Sequence, residues 1–404
     1  MINTTETSLT VEHLLPEGAL LESVDLSIVV PALNEEITVG EFVEWCKEGL
    51  LKAGVSGQIL IVDSSTDNTP NIVLEHGGEV LRVPKRGLGR AYIDAMPFIR
   101  GKWIIMGDAD LTYDFRELSP FVAEFKNGSE FVMGSRFRGS IEDGSMPGLH
   151  RYFGTPLTTW ILNRIYRSSY SDIHCGMRGI TREAFIKMDL HSQSWEYASE
   201  MVLKAARLNL KTTEVPVRFY KDREGRMSHH KRMGWLSPWI AGWINLKVML
   251  VYTPDSFLLK PGLLLTAFGI ALSVALSLGT FSIGHINFNL YWMLLAVTCT
   301  TLGYSCIQIG ILACMVHGLR PRASQFVEKN FSYNIGMLSA TVLILLGIGL
   351  VGNLAGQYIE HGLRLAEISR SAIMGLLLII LGFQTFCFTL LVEMLQRMIS
   401  KPSK

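Results

Sequence analysis

Four long apolar runs dominate the last third of this 404-residue chain. Each is close to the ~20 residues that cross the hydrocarbon core of a bilayer. One such run could be a buried core helix, but four in series predict a membrane region of four helices over residues 261–396. The runs contain no Lys, Arg or Asp, and Glu393 is their only acidic residue. They lie at about residues 262–283, 290–316, 335–358 and 372–394.

The distribution of Lys and Arg predicts the orientation of these spans, because cytoplasmic connections carry an excess of both. The connection after the first run, SIGHINFN, contains neither. The connection after the second run and the tail at residues 397–404 each contain three, and the connection after the third contains two. We therefore expect the amino-terminal domain and both termini on the cytoplasmic face. The amino terminus agrees, since it lacks the basic start and apolar core of a signal peptide.

A tryptophan-rich segment links the two halves of the chain. Trp235, Trp239 and Trp243 recur every four residues, which places them on one face of a helix. Tryptophan is enriched at membrane–water interfaces, so residues 233–260 are predicted to lie along the bilayer surface as amphipathic juxtamembrane helices. A tryptophan-rich core helix is the alternative, but the position directly before a span favours the interface. Pro254 then separates this segment from the first span.

Net charge and cysteine spacing exclude other classes of protein. The formal net charge is only +1, so no excess of basic residues indicates binding to nucleic acid. The six cysteines are scattered, four of them in the apolar half, and none has the spacing of a metal site. We therefore expect neither a zinc site nor a disulfide framework.

The first 235 residues resemble an ordinary soluble domain in which predicted strands alternate with predicted helices. The first strand runs from Leu26 to Val30 and ends before Pro31, and the second runs from Ile59 to Val62. The next three are GEVLRV, KWIIM and SEFVMG, the last ending at Gly134. This alternation is typical of a mostly parallel sheet covered on both faces. We predict a Rossmann-like α/β domain over residues 25–232. The preceding residues 1–24 are expected to form a loosely docked tail, with VEHLL as a short helix.

Charged side chains follow several of these strands. Asp108-Ala109-Asp110 follows the fourth strand after Gly107, Asp63 follows the second, and Arg136 follows the fifth. Two carboxylates this close repel one another unless a positive charge lies nearby, and a divalent cation with oxygen ligands is the obvious candidate. A polar turn would also explain the Asp pair alone. Convergence on one sheet edge, where such folds bind ligands, favours a site.

Five motifs occur in an order that resembles the family-2 glycosyltransferases with the GT-A fold: SIVVPALNEE, IVDSSTDNT, KRGLGRA, MGDADL and GSRF. The later DIHCGMRGI, ASEMVLKA and TEVPVRFYKDREGRMSHHK look like the branch that transfers sugars to polyprenyl phosphates. The resemblance covers about residues 25–232 and implies a nucleotide-sugar donor, a polyprenyl phosphate acceptor, a lipid bilayer, and Mg²⁺ or Mn²⁺ as cofactor.

The resemblance assigns donor and metal residues. Asp108 and Asp110 would hold the metal against the donor diphosphate. The strand-end loops and the KRGLGRA turn would bind the nucleotide and its phosphates, through Pro31, Asn34, Glu35, Asp63, Lys85, Gly87, Gly89 and Arg90. The SSTDNT loop departs from the family pattern, with one aspartate where two are usual, so the nucleobase contacts stay open.

A lipid phosphate acceptor is already mostly anionic near neutral pH, so the enzyme needs cations to position it more than a base to activate it. Arg136 and Arg178 are candidates, and so is the basic run before the tryptophans, which includes Arg223, Arg226, His229 and Lys231. That run could instead only bind anionic headgroups. Glu200 matches a family glutamate that orients a cation or the sugar, although it and Asp172 could equally be surface carboxylates.

We therefore predict an inverting, metal-dependent hexosyltransferase that acts on a polyprenyl phosphate, with UDP-glucose or GDP-mannose as donor. One alternative is a processive polysaccharide synthase, but the Gln-x-x-Arg-Trp pattern of that class is absent from the sequence. A nucleotide-sugar sensor without turnover is the other. The glycine-rich GIGLVGNLAG in the third span could support a homo-oligomer or pack internally.

Overall fold

The computed structural model describes residues 11–19, 21–166, 168–194, 196–223, 253–316, 331–360 and 369–399, and the isolated residues Gly225, Lys247, Leu250 and Val327. The chain divides into two compact units, residues 1–249 and 250–404.

The first unit contains one sheet of eight strands, in the order β1-β4-β3-β2-β5-β7-β6-β8. The strands are β1 (Glu12–Leu14), β2 (Val24–Ala32), β3 (Gly57–Asp63), β4 (Glu79–Arg82), β5 (Gly101–Met106), β6 (Phe131–Ile141), β7 (Arg178–Thr181) and β8 (Thr212–Phe219). The helices are α1 (Val39–Ala53), α2 (Thr69–Glu75), α3 (Leu88–Ala95), α4 (Ser119–Lys126), α5 (Thr155–Tyr166), α6 (Arg182–Met188) and α7 (Tyr197–Arg207). A 3₁₀ turn (Met96–Phe98) follows α3, and a π-helical turn (His150–Gly154) precedes α5.

Strand direction brings the predicted site residues to one edge of this sheet. Strands β2, β3, β4 and β5 are parallel, and β7 is antiparallel to both β5 and β6. Strand β6 therefore runs in the same direction as β5, so their carboxyl ends meet the amino end of β7 at the same edge. The apolar side chains of β2, β3 and β5 form the centre of the core, which confirms the predicted mostly parallel α/β fold.

Two predicted strand ends and one predicted helix are wrong. Strand β2 continues through Pro31 to Ala32, because β5 pairs with β2 only as far as Val29 and the missing N–H of proline faces no partner there. Strand β6 continues past Gly134 to Ile141, where β8 still pairs with it. The VEHLL segment forms strand β1 rather than a helix, and it covers the outer edge of β4.

The second unit contains α8 (Lys260–Leu278), α9 (Leu290–Val316), α10 (Tyr333–Glu360) and α11 (Arg370–Ile399). Four stretches are long and apolar enough to cross a membrane, which confirms the predicted spans: Asp255–Leu278, Leu290–Val316, Tyr333–Gly352 and Arg370–Met398. The first differs from its prediction at both ends. A π-helical turn over Asp255–Leu259 extends it backwards, and it stops before the hairpin of β9 (Phe281–Ile283) and β10 (Ile286–Phe288).

Glycines bring the helices of this unit into close contact. A Cβ on Gly262 of α8 would lie 2.8 Å from the Gly303 carbonyl oxygen of α9, and one on Gly347 of α10 would lie 2.6 Å from that of Gly375 on α11. In contrast, Gly352 and Gly356 of the same α10 have no atom within 4 Å of such a Cβ. The glycine-rich run therefore contributes to internal packing on one side, and its role in an oligomer stays a prediction.

Candidate active site

The site lies where β5 ends, β7 begins and β6 passes between residues 133 and 136. In the sheet register Arg178 is paired with Met106 of β5 on one side and with Met133 of β6 on the other. Asp108 follows Met106 by two residues, and Arg136 follows Met133 by three. The structure therefore brings together the Asp pair and the two arginines, which are distant in the sequence.

The turn after β5 fixes the Asp pair. One carboxylate oxygen of Asp110, Oδ1, accepts hydrogen bonds from the main-chain N–H of Thr112 at 3.0 Å and from its hydroxyl at 2.5 Å. Leu111 between them has a φ of 61°, a conformation that non-glycine residues rarely adopt. Asp108 is half-buried, and its Oδ2 lies beside Gly176, where an added Cβ would come within 2.7 Å.

This pair fits a divalent cation that shares its ligands with a substrate. Among the described residues no cluster of three or more His, Cys, Asp or Glu could hold a metal by itself. Magnesium, however, is usually bound by one or two carboxylates together with substrate phosphates, and hard oxygen donors also suit manganese. The missing side chain at Gly176 keeps space beside Asp108, so the residues present are compatible with such an ion.

Arg136 and Asp172 form a buried ion pair with two parallel contacts. Nε of Arg136 donates to Oδ2 of Asp172 at 2.6 Å, and Nη2 donates to Oδ1 at 2.8 Å. Asp172 is fully buried and Arg136 is 8% exposed, so neither is a surface charge. Burial opposes the charge of Arg136, but Tyr113 and Asp172 keep the pKa of the guanidinium above its ordinary value. The alternative that Asp172 is a surface carboxylate is thus wrong.

Arg178 is buried in a different way. It is 3% exposed, and its guanidinium donates to two main-chain oxygens, those of Ala198 at 2.8 Å and of Cys175 at 2.5 Å. Within the described part of the chain Arg178 forms no ion pair, whereas Arg136 has a carboxylate partner. Carbonyl oxygens stabilise a guanidinium without cancelling its charge, so Arg178 remains a positive charge at this edge of the sheet.

Two buried tyrosines, Tyr113 and Tyr92, also lie at this site and were not predicted from the sequence. The Tyr113 hydroxyl accepts a hydrogen bond from the N–H of Gly176 at 2.8 Å, and that of Tyr92 donates to the Gly107 oxygen at 3.2 Å. Burial raises the pKa of both phenols, and the negative charge of Asp108 contributes. Burial likewise raises the pKa of the Cys175 thiol to about 12, so this thiol stays neutral. Tyr113 stands three residues after Asp110, which was the only signal available.

The loops after β2 and β3, where we predict the nucleotide pocket, interlock through hydrogen bonds. The N–H of Asn34 donates to the Ser65 hydroxyl at 2.7 Å, and the Asn34 side-chain oxygen accepts from the N–H of Thr66 at 2.9 Å. Glu35 is buried, and its N–H donates to Thr69 Oγ1 at 2.9 Å. Asn34 has a φ of 58°, which asparagine tolerates better than most residues.

Asp63 lies at the bottom of these loops, at the end of β3. Its side chain is fully buried, accepts a hydrogen bond from the Ser65 N–H at 3.2 Å, and forms an ion pair with Arg82. Pro31 is half-buried one residue before the end of β2. The contact of Asp63 with a base or ribose stays a prediction, because this carboxylate already has a cationic partner within the protein.

The KRGLGRA turn packs against the main chain of residues 192–193. A Cβ on Gly87, which has a φ of 115°, would lie 2.3 Å from the Gln193 oxygen, and one on Gly89 would lie 2.1 Å from the Ser192 oxygen. Arg90 pairs with Asp94 at 2.9 Å, and Lys85 is exposed. The close approach that the glycines permit is therefore to the segment at residues 192–193, and any phosphate contact stays a prediction.

Glu200 holds this supporting segment in place. It is fully buried on α7 and accepts hydrogen bonds from the N–H of Ser192 at 2.8 Å and of His191 at 3.1 Å, while Lys204 pairs with it at 2.8 Å. Burial alone would raise the pKa of Glu200, but Lys204 and these N–H groups outweigh it and lower the pKa. The alternative that Glu200 is a surface carboxylate is therefore wrong.

The basic run is described only at its start. Arg223 is about half exposed and pairs with Glu41 of α1 at 2.6 Å. The predicted acceptor contacts Arg226, His229 and Lys231, and the three tryptophans of the interfacial segment, lie outside the described residues.

Two family models match the sequence. The model described as Glycosyl transferase family 2 matches residues 27–189, and that described as Glycosyltransferase family 2 C-terminal transmembrane region matches residues 312–396. Among curated proteins, the low-salt glycan biosynthesis hexosyltransferase Agl6 of Haloferax volcanii is 33% identical over 364 residues, which cover 89% of this chain and 86% of that protein. Glycosyltransferase AglJ of the same organism is 28% identical over 201 residues, which cover 49% of this chain and 64% of AglJ.

Solved structures also match part of this chain. Mannosyl-3-phosphoglycerate synthase from Rubrobacter xylanophilus is 22% identical with a TM-score of 0.42, and the match covers 56% of this chain and 74% of that one. Glucosyl-3-phosphoglycerate synthase from Mycobacterium tuberculosis, crystallised with Mn²⁺ and UDP-glucose, is 19% identical with a TM-score of 0.43, covering 57% and 79%. At these identities and scores the two structures carry no information about the ligands of this chain.

Proposed function

Because this chain belongs to glycosyltransferase family 2, and is therefore a glycosyltransferase with a membrane region, we propose that it transfers a hexose to a polyprenyl phosphate. The donor is a nucleotide-diphosphate sugar, either UDP-glucose or GDP-mannose. The product is a lipid-linked sugar phosphate with an inverted anomeric centre. The four membrane spans keep the enzyme in the bilayer that holds its acceptor.

The buried charge of Arg178 is the observation that carries this proposal. Its guanidinium lies at the same sheet edge as Asp108 and has carbonyl oxygens as its hydrogen-bond partners. An anionic acceptor stabilises such a charge, whereas a neutral sugar hydroxyl does so only weakly. A phosphate acceptor also removes the need for a general base, since it is already anionic near neutral pH.

Transfer then needs orientation more than proton movement. An oxygen of the lipid phosphate forms a bond to the anomeric carbon as the bond from that carbon to the nucleotide diphosphate breaks on the opposite face. Arg178 orients the attacking phosphate, and Arg136, whose direction Asp172 fixes, is the second phosphate contact. Asp108 and Asp110 hold Mg²⁺ or Mn²⁺, which when bound neutralises negative charge on the departing diphosphate.

The interlocked loops after β2 and β3 bind the nucleoside. Asn34 and Glu35 shape this pocket from one loop, and Asp63 closes its base. The KRGLGRA turn lies on the diphosphate side, where Lys85 is exposed. This unit and both termini face the cytoplasm, in keeping with the Lys and Arg counts of the connections.

A transfer assay on the detergent-purified full chain tests this function. The assay combines Mg²⁺ or Mn²⁺, a short polyprenyl phosphate, and a panel of labelled nucleotide-sugars. We expect label from one donor to enter the organic phase, and to stay in water with Asp110→Asn. Metal-dependent donor binding without any lipid product would contradict the acceptor and favour a sensor. A polymer longer than one sugar would favour a processive synthase.

A further inference from the structure

A cluster of side chains joins the turn that carries the Asp pair to the end of strand β8. Asp114 lies four residues after Asp110 and is 3% exposed, so its carboxylate needs partners within the protein. Arg116 donates to both carboxylate oxygens, from Nε to Oδ1 at 2.7 Å and from Nη2 to Oδ2 at 2.9 Å. The hydroxyl of Tyr220, the residue directly after β8, donates to Oδ2 at 2.8 Å. We call Asp114, Arg116 and Tyr220 the Asp114 cluster.

The Asp114 cluster keeps its carboxylate charged although it is buried. Burial alone would raise the pKa of Asp114, but the hydrogen bonds from Arg116 and Tyr220 outweigh it and lower the pKa. The Arg116 guanidinium also lies 4.2 Å from the centre of the Trp45 ring, and the Tyr220 ring meets the same indole edge to face at 6.2 Å. Arg116 is only two residues from Asp114, so the Tyr220 hydroxyl is the bond of this cluster that connects distant parts of the chain.

Main-chain contacts connect the same two segments. The N–H of Tyr220 donates to the Thr112 oxygen at 2.8 Å, and Tyr113 forms an antiparallel bridge with Phe219. Thr112 is also the residue whose N–H and hydroxyl donate to Oδ1 of Asp110. A single residue therefore contacts a predicted metal ligand on one side and the end of β8 on the other.

The end of β8 also contacts the arginine to which we assign the acceptor phosphate. The Arg136 guanidinium lies 5.2 Å from the centre of the Phe219 ring, within the range of a cation–π contact. The Tyr113 ring packs on the Phe219 ring with their centres 5.1 Å apart. The turn that carries the Asp pair and the guanidinium of Arg136 are therefore both supported by the last residue of β8.

We propose that Tyr220 is a positioning residue of the transfer reaction, whose bond to Asp114 couples the metal-binding turn to Arg136. A bound cation relieves the repulsion between Asp108 and Asp110, and so favours the conformation of the turn that Tyr220 contacts. The donor diphosphate with its metal and the acceptor phosphate then strengthen each other's binding, by the same factor in both directions. The effect on the acceptor rests on the proposed function, whereas the link between the turn and β8 does not.

Hydrogen–deuterium exchange of the full chain in detergent tests this link without any acceptor. Peptides covering residues 219–223 are followed with and without Mn²⁺ and a nucleoside diphosphate, with UDP and GDP tested separately. We expect these ligands to slow exchange about tenfold in the wild type and at most about twofold in Tyr220→Phe, which keeps the ring but loses the hydroxyl. Tyr291→Phe, at a residue of α9 that is 80% exposed, is the matched control. Unchanged exchange in the wild type, a comparison that needs no variant to fold, would overturn the proposal, and so would equal protection in Tyr220→Phe.

Titration calorimetry with farnesyl phosphate, a short polyprenyl phosphate, then tests the effect on the acceptor. The wild type should bind it about tenfold more tightly when Mn²⁺ and the diphosphate are present, and Tyr220→Phe should keep at most about twofold of this gain. The affinity of Tyr220→Phe for farnesyl phosphate alone should match that of the wild type, whereas a merely structural role would lower it. An equal gain in both proteins would overturn the coupling. Exchange protection without any binding of farnesyl phosphate would uphold the link to β8 and contradict the proposed acceptor.

Discussion

Arg136 and Asp172 make two parallel contacts, of 2.6 and 2.8 Å, inside the first unit and beside the Asp108 turn. The carboxylate also accepts the N–H of Arg136 at 3.2 Å and that of His174 at 3.3 Å. Glu214 fixes the same segment from β8 by accepting the N–H of Ser171 at 2.6 Å. Arg136 is therefore a cation whose direction is set by the protein before any ligand arrives.

Asp172→Asn should destabilise the first unit, because Arg136 would remain buried without a carboxylate. Loss of one partner of a buried ion pair typically costs about 3–5 kcal/mol. Thermal unfolding of the purified full chain measures this, with Arg136→Met alone and the double variant completing a cycle. We expect the double variant to be more stable than Asp172→Asn. Additive effects of the two changes would show that the pair is not coupled.

Arg178→Gln should lower kcat/KM for the polyprenyl phosphate by about 10–10²-fold, because one charge-assisted contact to the acceptor, worth about 1.5–3 kcal/mol, is lost. Donor binding, followed by titration calorimetry with the nucleotide diphosphate and Mg²⁺, should change little. Arg178→Lys keeps the charge but not the planar fork, so it should recover only part of the loss. Equal losses in donor affinity and in turnover would place Arg178 on the donor side instead.

Gly176→Ala should disturb the Asp pair, because its Cβ would lie 2.7 Å from Oδ2 of Asp108 and 3.0 Å from the Tyr113 ring. We expect weaker activation by Mg²⁺ or Mn²⁺, seen as a higher metal concentration at half-maximal rate. Gly148→Ala is the matched control, since its Cβ would meet nothing closer than 3.9 Å. If both variants respond to metal like the wild type, Gly176 does not keep space beside Asp108.

Glu200→Gln should reduce stability at neutral pH more than at acidic pH. The folded protein lowers the pKa of Glu200 below its usual 4.5, so the carboxylate contributes stability above that pH, and this contribution is lost as the pH falls through the folded-state pKa. Melting temperatures of wild type and variant should therefore converge in acid. The exposed Glu183 on α6 supplies the control, as Glu183→Gln. A gap that is constant with pH would mean that the charge of Glu200 is not what matters.

The same substitution should raise the KM for the nucleotide-sugar. Glu200 holds residues 191 and 192, and the carbonyl oxygens of Ser192 and Gln193 support the turn at Gly87 and Gly89. When residues 191 and 192 are held less firmly, the predicted contacts of this turn with the donor diphosphate weaken. The contacts with the acceptor phosphate do not change. Steady-state kinetics with each substrate varied separately test this. An effect confined to the KM for polyprenyl phosphate would contradict it.

The sequence predicted well those features that depend on local patterns. Alternating strands and helices predicted the sheet, and unbroken apolar runs predicted the membrane helices. The pattern failed where pairing partners decide the outcome. Pro31 belongs to β2 because β5 has already stopped pairing there, and residues 12–14 form a strand because β4 offers them a free edge.

The site was predicted only as a set of residue types at strand ends. Asp108 and Arg178 lie far apart in the chain and come to the same sheet edge because β7 runs antiparallel between β5 and β6, a topology that no local pattern encodes. For the same reason the partners of charged residues were not foreseen. Asp172, Glu200 and Asp63 each proved to be buried and bonded to the protein itself.

Phosphorus NMR of the reaction product tests the central claim most directly. The full chain is incubated with metal, the nucleotide-sugar selected by the transfer assay, and a polyprenyl phosphate, and the lipid fraction is examined. If the lipid phosphate is the nucleophile, its phosphomonoester signal should convert into that of a phosphodiester bound to the anomeric carbon of the sugar. The same polyprenol without phosphate should give no product. Sugar attached while the phosphomonoester signal persists would contradict the proposed reaction.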